Sequence, residues 1–74
     1  MDIRPNITAI EAALKERGIS VARICRRADL APTTWVRWKN GAPAQARSWD
    51  RVTAVLVEIN PGWAELAAPR AEAA

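Results

Sequence analysis

Apolar residues recur along this chain in short runs at helical spacing, divided by turn residues, and no two-residue alternation typical of a strand competes with them. Ile7, Ile10, Ala13 and Leu14 fall three to four apart and predict an amphipathic helix over residues 7–17. Asn6 can cap it, or Thr8 can do so with Glu11 as a capping box, and Gly18 closes it. Ser20 is placed to cap a second helix with Val21, Ile24, Cys25 and Ala28 on its inner side and Asp29 at its end. Pro32 suits the first turn of a third helix over residues 32–39, where its missing N–H costs nothing, and Asn40-Gly41 stops it. After the loop of residues 42–47, Ser48 is expected to cap a fourth helix that turns Trp49, Val52, Val55, Leu56 and Ile59 inward. Asn60-Pro61-Gly62 breaks the chain, and Trp63, Leu66 and Ala67 suggest a short fifth helix. Residues 69–74 offer nothing to bury and are expected to be a disordered tail beyond a single domain of residues 1–68.

The expected fold is therefore all-α, a compact bundle of four to five short helices. Residues 20–40 place two helices around a turn of about four residues, the helix-turn-helix arrangement. Such helices cross steeply, so the residue at their closest approach must be small, and Cys25 qualifies. Trp35 and Trp38 lie three apart and share one side of the third helix. We expect them in the core, pinning that helix to its neighbours. Pro32, Thr33, Val36 and Arg37 are then left facing outward.

Composition sharpens this picture at a few points. The chain has 74 residues, near the lower end of what a hydrophobic core can fold alone, and its four tryptophans supply all the aromatic packing. Its single cysteine allows no intramolecular disulfide, which suits a reducing cytoplasm. The amino-terminal stretch lacks the apolar run of a secretory signal, and no segment approaches the ~18 apolar residues of a membrane span. A cytoplasmic protein of a bacterial cell or phage-infected host, without a membrane partner, is the expectation.

Charge is uneven along the chain. Residues 1–19 are balanced, with Arg4, Lys15 and Arg17 against Asp2, Glu11 and Glu16. Residues 20–51 hold Arg23, Arg26, Arg27, Arg37, Lys39, Arg47 and Arg51 against Asp29 and Asp50, a surplus of +5. Residues 52–74 hold Arg70 against Glu58, Glu65 and Glu72, and the whole chain carries a formal +3. Solubility alone accounts for scattered cations, whereas a basic centre between neutral and acidic ends fits a face aimed at a polyanion. Catalysis finds no support: there is no histidine for proton transfer, no zinc-ligand spacing and no glycine-rich phosphate loop. No cofactor, metal or small-molecule effector is expected.

The stretch GISVARICRRADLAPTTWVRWKNG from Gly18 onward resembles the phage repressor and Cro-type helix-turn-helix family, also called lambda-repressor-like. Members read glycine, an apolar residue and serine, then a leucine-alanine pair, a turn, and a helix ending in tryptophan, an acid, any residue and glycine. This chain departs at four places. Asp29 stands at the turn glycine, Val21 at a glutamine that reaches phosphate, Lys39 at the acid, and Ala31 at a serine or threonine.

The resemblance implies a sequence-specific, double-stranded-DNA-binding transcriptional regulator with its third helix in the major groove. On that reading Pro32, Thr33, Val36 and Arg37 read bases. Arginine suits a guanine edge through two hydrogen bonds, and Thr33 or Val36 can touch a thymine methyl. Ser20, Arg23, Thr34, Lys39, Asn40 and Arg47 are the expected backbone contacts, with Arg47 approaching the minor groove near the operator centre. Arg26 and Arg27 are read as solvated. One helix reads too few base pairs for selectivity, so a homodimer on a pseudo-palindromic operator is expected, with half-sites about 34 Å apart. Trp63, Leu66 and the end of the fourth helix are the expected dimer surface. A different class keeps the fold without the DNA: a protein-binding adaptor docking through Val36, Trp63 and the alanine-rich end.

Overall fold

A computed structural model describes residues 2–68, so the expected tail of residues 69–74 lies outside the described residues. In chain order it contains β1 (Asp2–Ile3), α1 (Ile7–Glu16), α2 (Val21–Arg27), α3 (Pro32–Lys39), β2 (Ala44–Gln45), α4 (Ala46–Ile59) and, after a single 3-10 turn (Pro61–Trp63), α5 (Ala64–Ala67). The fold is an all-α bundle of five short helices, and α2 and α3 with the turn between them form the helix-turn-helix.

Local chemistry explains most of the boundaries. Asn6 caps α1 by accepting the Ala9 N–H at 3.2 Å, so Glu11 is released from the capping-box role and serves elsewhere. Ser20 caps α2 by accepting the Arg23 N–H at 3.2 Å. Ala31 caps α3 with no side-chain hydrogen bond, and Pro32 occupies its first turn. α2 stops at Ala28 because Asp29 takes a left-handed conformation (φ 55°), which lets the Leu30 N–H reach back to the Cys25 carbonyl at 2.8 Å. A non-glycine residue is strained there, and aspartate less so than most. Asp29→Gly is therefore expected to raise stability by about 0.5–1 kcal/mol, read as a higher urea midpoint at unchanged slope. An unchanged or lower midpoint contradicts the assignment of strain.

Two elements differ from the expectations. Ser48 does not cap α4: the helix begins three residues earlier than expected, at Ala46, with Gln45 as an extended cap that makes no side-chain bond. The chain also contains a small antiparallel pair, Asp2 opposite Gln45 and Ile3 opposite Ala44. Two-residue strands carry no alternation to read, and this pair exists because the bundle brings the amino terminus against the α3–α4 connection.

The core is built on tryptophan. Trp35, Trp38 and Trp49 form a triangle with ring centroids 5.6 to 6.5 Å apart, including an edge-on contact between Trp38 and Trp49. Ile7, Ile10, Leu14, Ile24, Cys25, Val52 and Leu56 complete the same buried cluster. The Trp49 indole N–H donates to the Ala67 carbonyl at 2.7 Å and so ties α5 to α4. The Trp35 indole N–H donates to the Glu11 carboxylate at 3.0 Å. Trp63 also belongs to this core, at 8% exposure, with the Arg17 guanidinium 5.7 Å from its ring centroid. Trp63, expected at a dimer surface, is thus covered by its own protomer. Trp63 folds back onto its own protomer because the Asn60 side chain, accepting the Gly62 N–H at 3.0 Å, turns the chain sharply after α4. Leu66 is partly buried against the same core. Neither residue calls for a second chain to cover it.

Candidate nucleic-acid interface

At 3.6 residues per turn, burying Trp35 and Trp38 fixes what every other side chain of α3 can do. Trp35 is 2% and Trp38 6% exposed, and the opposite side carries Thr33, Val36, Arg37 and Asn40, all exposed. Val36 is 53% exposed, the one large hydrophobic residue left open among the described residues. Pro32 is exposed at the start of the same helix. The four expected base-reading residues thus share one open surface. Asn40 caps the helix at the end of this surface, and the following Gly41 holds φ 101°, a conformation that a side chain disfavours.

The two flanks of α3 are different. On one, Thr34 and Arg37 border an open groove of about 440 Å³ whose other walls are Trp38, Ala42, Pro43, Gln45 and Ser48. Gln45 and Ser48 are additions to the expected set. Ser48 looked like a helix cap, and the early start of α4 places it instead inside the helix, where it lines the groove. Arg47, in the first turn of α4, is exposed near by in sequence. On the other flank Lys39 lies against α1, with its ammonium 3.3 Å from Glu11. Lys39 is therefore an ion-paired residue at the edge of the surface.

Arg4 is the cation that the sequence concealed. It sits in the amino-terminal segment, which has no net charge. The β1–β2 pairing nevertheless carries it to the end of α3, where its guanidinium donates to the Gly41 carbonyl at 3.1 Å. Its remaining N–H groups are exposed with the side chain. The strand pair has no signal in the sequence that could have revealed this placement.

The remaining cations divide by partner. Arg23, Arg37 and Arg47 are exposed and form no ion pair among the described residues. Arg27, read as solvated, instead bridges to Glu58 of α4 at 2.7 Å, which removes it from any basic face. Ser20 spends its acceptor on the Arg23 N–H and keeps its hydroxyl proton to donate.

Other chemistry is sparse. Cys25 is buried, and that burial pushes its thiol above the ordinary value, so it acts as a small packing residue and not as a thiolate. No cluster of three potential metal ligands exists among the described residues. No helix among them is long and apolar enough to cross a membrane.

Comparisons with models of known protein families, with curated proteins and with solved structures give no match.

Proposed function

We propose that this chain is a sequence-specific regulator that binds double-stranded DNA with α3 in the major groove, in the manner of the phage repressor and Cro-type proteins it resembles. One observation carries the reading. The buried tryptophans of α3 leave Thr33, Val36 and Arg37 together on its outer side, and that set offers a hydroxyl, a methyl surface and a guanidinium to base edges. An exposed valine is a poor choice for a helix surface facing only water. It is a reasonable one against a thymine methyl.

Backbone contacts in this proposal come from Arg4 and Asn40 at the end of α3, from Ser20 and Arg23 at the start of α2, and from Thr34, Gln45, Arg47 and Ser48 around the groove. Phosphate contacts of this kind set register and affinity, while the α3 side chains set sequence preference. The protein acts as a homodimer on two half-sites, and its dimer surface excludes the buried Trp63. Burial of Trp63 also counts against the adaptor reading, which leaves Val36 and Pro32 as the apolar patch for a partner protein. We place the protein in the cytoplasm of a bacterial cell or phage-infected host, with no effector beyond its own concentration.

The test is enrichment of bound duplexes from a random pool, followed by measurements on the recovered site. Recovery of a pseudo-palindrome with half-sites about 34 Å apart is the expected result. On that site Arg37→Ala should cost about 1–3 kcal/mol per half-site and relax preference at one base pair, with the melting temperature of the free protein nearly unchanged. If Arg37→Ala weakens every sequence equally, the arginine holds phosphate, and base reading passes to Thr33 and Val36. A pool that shows no enrichment removes the proposal.

A further inference from the structure

Glu11 does more than its position in α1 requires. Its Oε2 accepts the Trp35 indole N–H at 3.0 Å, and its Oε1 lies 3.3 Å from the Lys39 ammonium. Trp35 and Lys39 are four apart on α3, so one carboxylate spans both across the α1–α3 contact. The indole N–H belongs to a buried ring and needs an acceptor. The amide oxygen of a glutamine would serve it equally well, without the desolvation that a charged group suffers at 25% side-chain exposure. The negative charge therefore answers to Lys39, not to Trp35.

We infer that Glu11 withholds Lys39 from DNA, subtracting one cation per protomer from those that can neutralise phosphate. The inference rests on the DNA-binding reading above. Lys39 sits at the margin of the open side of α3, and its side chain is 56% exposed, so a phosphate can approach it. While Oε1 holds the ammonium, a phosphate that binds there exchanges one anion for another and releases little counterion. Nonspecific affinity comes almost wholly from such release. A small basic protein that must find one site among many gains selectivity from a cation held back in this way. Glu11 acts through Lys39 and is a positioning residue that touches no base.

Four proteins test this: wild type, Glu11→Gln, Lys39→Gln and the double variant, each titrated by fluorescence anisotropy on a random-sequence duplex across a KCl series. Glu11→Gln keeps the acceptor for Trp35 and frees the ammonium. It should bind about eightfold tighter per protomer near ~0.1 M salt, with a salt slope steeper by about 0.9 per protomer. Lys39→Gln should bind more weakly than wild type, because it uncovers the Glu11 charge beside the DNA. The double variant should return to within about twofold of wild type, since both charges leave together. Equal affinity and slope in wild type and Glu11→Gln overturn the inference. So does a double variant as tight as Glu11→Gln, because the effect then does not pass through Lys39. Thermal melts of the free proteins accompany the titrations; if Glu11→Gln does not fold, Lys39→Gln decides, and affinity equal to wild type overturns the idea. Wild type that fails to bind at the lowest salt defeats the DNA-binding proposal itself, an outcome distinct from binding that is indifferent to Glu11.

Discussion

Trp49→Ala is expected to leave the chain unfolded at 25 °C. Trp49 is 1% exposed, packs against both Trp35 and Trp38, and donates its indole N–H to the Ala67 carbonyl at 2.7 Å. Truncating a buried tryptophan to alanine costs about 3–5 kcal/mol through lost burial and the cavity left behind. The orphaned carbonyl adds to that, because the bond at Ala67 is buried. A core of this size supplies only about 3–5 kcal/mol of net stability in a domain of this length. The loss thus equals the whole margin. Far-ultraviolet circular dichroism across a thermal melt checks it. A cooperative transition with a melting temperature within about 5 °C of wild type would show that the tryptophan triangle is not what holds the bundle together. Trp49→Phe, which keeps a ring without the N–H, should fall between the two.

Salt carries the second large effect. In the proposed complex Arg4, Arg23 and Arg47 each neutralise one phosphate per protomer, and Lys39 is left out because Glu11 holds it. A dimer then neutralises roughly six phosphates, and log affinity falls with log salt at a slope of about −5. Raising KCl from about 50 to 200 mM should weaken binding by roughly 10³-fold. The slope also reports stoichiometry, since a lone protomer would give about half that value. Anisotropy titrations of a labelled duplex measure it directly. A slope near zero, or no binding in the low-salt buffer, would mean that the basic surface serves solubility alone.

These two effects separate along the structure. The first lies in the core, where three of the four tryptophans meet, and the second lies in exposed side chains. Arg37 joins the two layers. Its neighbour Trp38 is buried, so its own position on the helix is fixed by packing while its guanidinium stays in solvent. Replacing Arg37 should change recognition and leave the fold alone, whereas replacing Trp38 should weaken the fold and recognition with it.

The helices were legible in the sequence because their signals act within a turn of the chain. The Asn6 and Ser20 caps, the proline opening α3 and the glycine closing it, and the spacing of Trp35 and Trp38 are all contacts between residues at most four apart. The left-handed place taken by Asp29 followed from the resemblance alone, in which Asp29 stands at a turn glycine. Each of these sets backbone conformation locally, and once α3 is a helix with two tryptophans on one side, its open side follows from geometry alone.

What only the tertiary structure decided lies between segments far apart in the chain. Arg4 reaches Gly41 across 37 residues, and Trp35 finds Glu11 across 24. The β1–β2 pair, the ion pair that captures Lys39 and the return of Trp63 into its own core are of the same kind. Sequence alone determined which residues carry charge, which helices form and which way α3 turns its tryptophans. It could not determine which opposite charge a given lysine meets, or whether a tryptophan beyond a turn is covered by its own chain or by another. Those outcomes depend on distances across the packed bundle, and the distances exist only after the helices have closed on one another.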